Sequence, residues 1–160
     1  MTMRTVPVAL SCIVLLAAWL GAALLVAAVV APAAFAVLPS RTLAGALVGR
    51  ILPVLFWSGI LLGAAVAVVA RLADAGHLAS GAALALLGAC AVAQLYIAPR
   101  IERIRATIGG PVDALDPSDP RRQAFGRLHG FSVLWMGVGG IAALVALVVM
   151  ARLLSARSAA

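Results

Sequence analysis

The apolar positions of this chain gather into four long blocks separated by shorter polar stretches. They run from about 6 to 30 (VPVALSCIVLLAAWLGAALLVAAVV), 51 to 70, 78 to 98 and 130 to 150. A helix that spans a bilayer needs about 20 apolar residues, so each block predicts one span. None alternates polar and apolar positions over about ten residues, as a membrane β-strand would. The expected fold is all-α: an integral membrane four-helix antiparallel bundle, one domain over residues 1–160.

The joints between blocks carry their own signals. Pro32 predicts a kink near the end of the first helix, and Pro39 ends any helix before it. Ser40 is then placed to cap a helix beginning at Arg41. Residues 71–77 predict a tight hairpin. The third connection, PRIERIRATIGGPVDALDPSDPRRQAFGR, is long and polar. Its Gly109-Gly110-Pro111 reads as a helix stop. Asp119-Pro120 reads as a helix start, with the carboxylate as N-cap and proline at the first helical position. Helices three and four therefore extend beyond the membrane over about 99–129, and Glu102 and Arg105 form an i, i+3 surface pair there. The first block ends in Ala34-Phe35-Ala36, which looks like a signal-peptide cleavage site. Its apolar run exceeds the 7–15 residues of a signal h-region, so an uncleaved helix is expected.

Small residues predict where helices meet. Gly45-x-x-x-Gly49, Gly59-x-x-x-Gly63 and Gly126-x-x-x-Gly130 would let backbones approach closely, as would Gly137, Gly139 and Gly140.

Composition agrees with a bilayer as solvent. The chain is 65% hydrophobic and 11% charged, whereas soluble domains are about half apolar. The net charge of +7 comes entirely from arginine, for there is no lysine. With so much Ala, Val, Leu and Gly, this points to GC-rich coding, and nucleic acid is not expected as a partner. The charge fixes topology and meets anionic lipid heads instead. Eight arginines (41, 50, 100, 103, 105, 121, 122 and 127) belong to one membrane side and four (4, 71, 152 and 157) to the other. The positive-inside rule places the long third connection in the cytoplasm and both termini outward. The expected location is a bacterial inner (plasma) membrane.

Candidate chemistry centres on FGRLHGFSVLW, residues 125–135. His129 stands at the entry to the fourth span, with Ser132 one turn deeper on the same face. Gln94 lies about 7.5 Å inside the end of the third span, counted back from Pro99 at 1.5 Å per residue. Arg50 just precedes the second span. Three helices thus bring polar groups to one end of the bundle. They are either helix-orienting contacts, worth under about 1–2 kcal/mol each, or a binding site, the default meaning of intramembrane polarity.

Other chemistries fit less well. His77 and His129 belong to opposite membrane sides, about 30 Å apart, and cannot share one haem within a monomer. Cys12 and Cys90 read as small buried residues, and their mismatch in depth disfavours a Cu(I) site. No Ser/His/Asp set and no Gly-rich phosphate loop is present. No catalytic residue, metal ligand or cofactor is expected, and the protein is not expected to be an enzyme.

Several short motifs together resemble a known family. They are Trp19-Leu20-Gly21, Ala31-Pro32-x-x-Phe35, Gly49-Arg50-x-x-Pro53, Gln94-x-x-x-x-Pro99-Arg100 and Phe125-Gly126-x-x-His129-Gly130-x-Ser132. This resembles the bacterial branch of the transmembrane protein 205-like domain family, over roughly residues 19–150. The resemblance implies a four-span membrane domain of unknown function. Family members tend to carry asparagine where this chain has Gln94, and again near Met136, so the resemblance implies a reduced polar site here.

The leading expectation is a non-enzymatic structural or interaction module. Its partners would be the lipid bilayer and either a second copy or another membrane protein. The alternative is a small-molecule or ion-binding carrier whose cytoplasm-facing pocket is lined by Arg50, Gln94, His129 and Ser132. A haem- or copper-binding membrane protein is the third and weaker alternative.

Overall fold

The computed structural model describes residues 5–158, with side chains over 7–156. Arg4 and the side chain of Arg157, two of the four arginines assigned to the outward side, lie outside that range. The described chain forms four long helical rods. The first joins α1 (Thr5–Leu25), a wide π-turn (Val26–Val30) and α2 (Ala31–Val37). The second is α3 (Arg41–Leu72). The third joins α4 (Gly76–Ala91), a second π-turn (Val92–Ile97) and α5 (Ala98–Ile108). The fourth is α6 (Pro120–Ser158). All four are long and apolar enough to cross a membrane. The shortest of these stretches has 31 residues, about 46 Å at 1.5 Å per residue, so each outruns a hydrocarbon core of about 30 Å.

Local chemistry explains the rod ends. The Ser40 hydroxyl accepts from the Leu43 N–H at 3.2 Å and starts α3. Rods two and three turn through Asp74 and Gly76, both at positive φ, while the Ala75 N–H donates to the Ala70 carbonyl at 2.8 Å. Gly109 ends α5 in the left-handed conformation at φ 66°, a conformation that costs glycine little. Asp119 starts α6 by accepting from the Arg121 N–H at 2.8 Å. The Arg121 guanidinium also pairs with that carboxylate at 2.8 Å.

Two prolines lie inside rods. The first helix runs past Pro32 to Val37, beyond the expected end of its apolar block near 30, and the third rod runs past Pro99, as the expected extension over 99–129 requires. Each follows a wide turn that closes on an Ala-Pro pair: Val26–Val30 before Ala31-Pro32, and Val92–Ile97 before Ala98-Pro99. A proline ring clashes with the carbonyl one turn back. Widening the preceding turn makes room for the ring without breaking the rod.

The rods close into an antiparallel ring. α3 packs on both α4 and α1, and α6 packs on both α4 and α1. The interior is built from small side chains around a few large ones, with Leu16, Leu86 and Val66 fully buried. Trp19 ties rod one to rod two, its indole Nε1–H donating to the Leu55 carbonyl at 2.9 Å. Gly59 and Gly63 let rods two and three touch, as predicted. A β-carbon at Gly59 would stand 2.5 Å from Cys90 Sγ and 3.0 Å from Trp19. One at Gly63 would meet the Ala83 carbonyl and the Leu87 nitrogen, each at 2.8 Å. The other stripes differ from expectation. Gly126 and Gly130 are exposed with nothing within 4 Å, so no close contact forms there within the described bundle. Gly45 and Gly49 meet a side chain rather than a helix backbone.

A cavity at the arginine-rich end as candidate functional site

At the arginine-rich end the ring opens into a cavity of about 580 Å³. Rods two, three and four form its walls, Phe35 at the end of rod one adds to them, and Gly110 to Asp113 lie across the end. The walls are mainly apolar, with Leu52, Pro53, Phe56, Ala98 and Ile101 along its length.

Three of the four sequence-predicted residues line it: Gln94, His129 and Ser132. Gln94 sits within the second π-turn, so the device that accommodates Pro99 also sets the direction of this side chain. Its Oε1 is fully buried and has no hydrogen-bond partner. Leaving a buried acceptor unpaired costs about 1–3 kcal/mol, so this atom is one the fold tolerates rather than uses. Ser132 is 9% exposed. His129 lies nearer the surface and stacks on Phe125, with ring centroids 6.3 Å apart and planes 6° from parallel.

Arg50, the fourth predicted residue, is not on the cavity wall. Its neighbours Gly49 and Pro53 are, while Arg50 itself is exposed. One residue is about 100° of helical turn, enough to swing the guanidinium off the wall. Position relative to the span gave the right depth but the wrong face.

Arg105 takes the place that sequence reasoning gave to Arg50. It lines the cavity from α5 and spans the gap to both neighbouring rods. Its Nη2 and Nη1 lie 3.3 and 3.6 Å from where β-carbons of Gly45 and Gly49 would be. On the other side its guanidinium carbon stands 5.5 Å from the centre of the Phe125 ring, within reach of a cation–π attraction. Glu102 holds Nη1 at 3.3 Å, a long and largely exposed pair. Most of the five N–H donors of this guanidinium are therefore not engaged by Glu102. The signal in the sequence was the Gly45-x-x-x-Gly49 stripe, which cradles a guanidinium here. Arg41, Glu102 and Asp113 complete the rim, so both signs of charge are present.

Cys12 and Cys90 are both buried and free. His77 lies at the start of α4, on the wall of a separate apolar groove against α6, and does not line the cavity that His129 lines. No group of three His, Cys, Asp or Glu side chains that could hold a metal ion occurs among the described residues. Trp57 is about half exposed on the outer surface of α3 and contributes nothing to the cavity wall.

Residues 14–109 match the family model described as "Domain of unknown function (DUF4149)". That stretch is more than half of the chain, and the chain belongs to this family. It includes the first rod from Val14 onward, the second and third rods and the connections between them; α6, with His129 and Ser132, lies beyond it. No curated protein matches the chain, and no solved structure does.

Proposed function

We propose that this multi-pass membrane protein is non-enzymatic and binds a small molecule in the cavity at its arginine-rich end. The observation that carries this reading is the buried, unpartnered Oε1 of Gln94 on the wall of a cavity shared with His129 and Ser132. Groups that served only to orient helices would bond to one another, and among the described residues Gln94 does not. The close-packed glycines, Gly59 and Gly63, make their contacts inside one bundle. They give an interaction module less support than the glycine pattern suggested.

The arginine excess at the cavity end supports a cytoplasmic opening; placement in a bacterial inner membrane goes with that orientation as part of the proposal. Kinship with the transmembrane protein 205-like family rests on its five short motifs alone; the family model matched over residues 14–109 supports only a domain family of unknown function. A structural or interaction role is the second reading. The exposed Gly126 and Gly130 on α6 favour it, because a helix of a second copy or of another membrane protein could approach there.

Native mass spectrometry of protein extracted in mild detergent tests the first reading. The expected result is a bound species of defined mass, lost when Ala98→Phe fills the cavity while the melting temperature is kept. Protein that carries only bulk lipid, equally in both forms, would contradict it.

A further inference from the structure

The cavity is layered, and the layers describe a ligand. Counted along their rods from the open end, Gln94 and Ser132 are the deepest polar residues of the lining. Leu52, Pro53, Ala98 and Ile101 form an apolar middle. Arg105 crosses the mouth. Gln94 and Arg105 lie on one rod about 16 Å apart along its axis, at 1.5 Å per residue. We infer that the occupant is an amphipathic organic anion: a carboxylate or phosphate at Arg105, an apolar body along α3 and α5, and a hydroxyl or amide hydrogen for Gln94. This rests on the cavity being a binding site.

Each part has its physical reason. The guanidinium is held by Phe125 at 5.5 Å and by the Gly45–Gly49 cradle, so it is positioned before any ligand arrives. A positioned guanidinium loses less freedom on binding, and it suits carboxylate and phosphate oxygens. The Glu102 contact at 3.3 Å is long for a charge-assisted bond, so a ligand anion can share the guanidinium with it. Arg41 and Asp113 add one charge of each sign to the rim. Selection of an anion therefore falls to Arg105 rather than to net charge. At the deep end, the bare Oε1 of Gln94 calls for a donor, while the Gln94 amide N–H and the Ser132 hydroxyl serve an acceptor. An extended chain of about twelve carbons covers the distance between the two ends.

The test uses the full chain in phosphatidylcholine nanodiscs and four probes: 12-hydroxydodecanoate, dodecanoate, 1,12-dodecanediol and 12-aminododecanol. Calorimetry is expected to rank 12-hydroxydodecanoate first, at least tenfold tighter than dodecanoate and than the diol, with the amine weakest. Arg105→Gln should abolish the preference for the acid over the diol, and Arg105→Lys should keep part of it. Gln94→Leu should abolish the preference for the hydroxy acid over dodecanoate. The ranking in the unmodified protein needs no variant, so a variant that fails to fold leaves the test intact. Competition by added phosphatidylglycerol would assign the anion to a lipid head and still support its place at Arg105. Equal binding of acid, diol and amine would overturn the ligand class while keeping the cavity as a site. No binding by any probe, with the cavity-filling Ala98→Phe also carrying the same lipids as the parent, would overturn both.

Discussion

The guanidinium of Arg105 lies across Gly45, where a β-carbon would stand 3.3 Å from Nη2. The glycine is therefore a seat for a side chain that starts on a different rod. Gly45→Val should displace Arg105 without disturbing the buried interior. The expected change in stability is within about 0.5 kcal/mol, as for a rim position. Affinity for 12-hydroxydodecanoate should fall about tenfold, since a charge-assisted hydrogen bond contributes about 1.5–3 kcal/mol. Calorimetry beside a thermal melt checks both.

Gln94→Leu should stabilise the bundle. The amide oxygen is buried and unpartnered, and removing such an acceptor recovers part of its desolvation cost, about 1 kcal/mol. A higher Tm in detergent is expected. A marked fall would mean that Gln94 bonds across the helices.

Gly59→Ala should do the opposite. Its β-carbon would stand 2.5 Å from Cys90 Sγ and 3.0 Å from the Trp19 ring. Overpacking of this kind costs about 1–3 kcal/mol. Shrinking the neighbour with Cys90→Gly should recover part of the loss, because residues in contact are coupled. A melting series over the single and double variants reads this directly. Trp19→Phe, which gives up the 2.9 Å bond to the Leu55 carbonyl, should cost about 1 kcal/mol separately.

The start of α6 should loosen in acid. The Asp119 carboxyl is held down at about 2, first by the side-chain hydrogen bond from Arg121 and then by the Arg121 N–H. Its ordinary value is about 3.9. A carboxyl lowered on folding contributes stability above its ordinary value and loses it as pH falls toward the folded value. The protection of the amides at residues 121–123, taken relative to their intrinsic exchange rates at each pH, should therefore fall between about pH 4 and pH 2. Asp119→Asn keeps a capping oxygen but does not titrate, so it should flatten that dependence.

The features legible in the sequence were those fixed by local rules. Ser40, Gly109 and Asp119-Pro120 mark helix ends through bonds spanning a few residues, and all three mark ends in the fold. The four apolar blocks were legible because bilayer thickness sets their length. The widened turns before Pro32 and Pro99 were not legible, because no single residue type announces them. Depth was legible for the site, and Gln94, His129 and Ser132 do share one cavity. Facing was not. Arg50 misses the wall by one helical step, while Arg105 reaches it because a long side chain can cross to another rod. The glycine stripes looked alike in sequence. One packs backbone, one seats an arginine and one faces open space, according to which partner the fold brings up.

A cavity that binds a small molecule holds a ligand other than bulk lipid. A benzophenone amino acid placed at Ala98, on the cavity wall, and separately at Val54, 71% exposed on the same end of the bundle, tests this most directly. Illumination of intact membranes, followed by intact-mass measurement, reads the neighbours of each position. One discrete adduct is expected at position 98, lost in the Arg105→Gln background, and only lipid adducts at position 54. The same lipid adducts at both positions would contradict it.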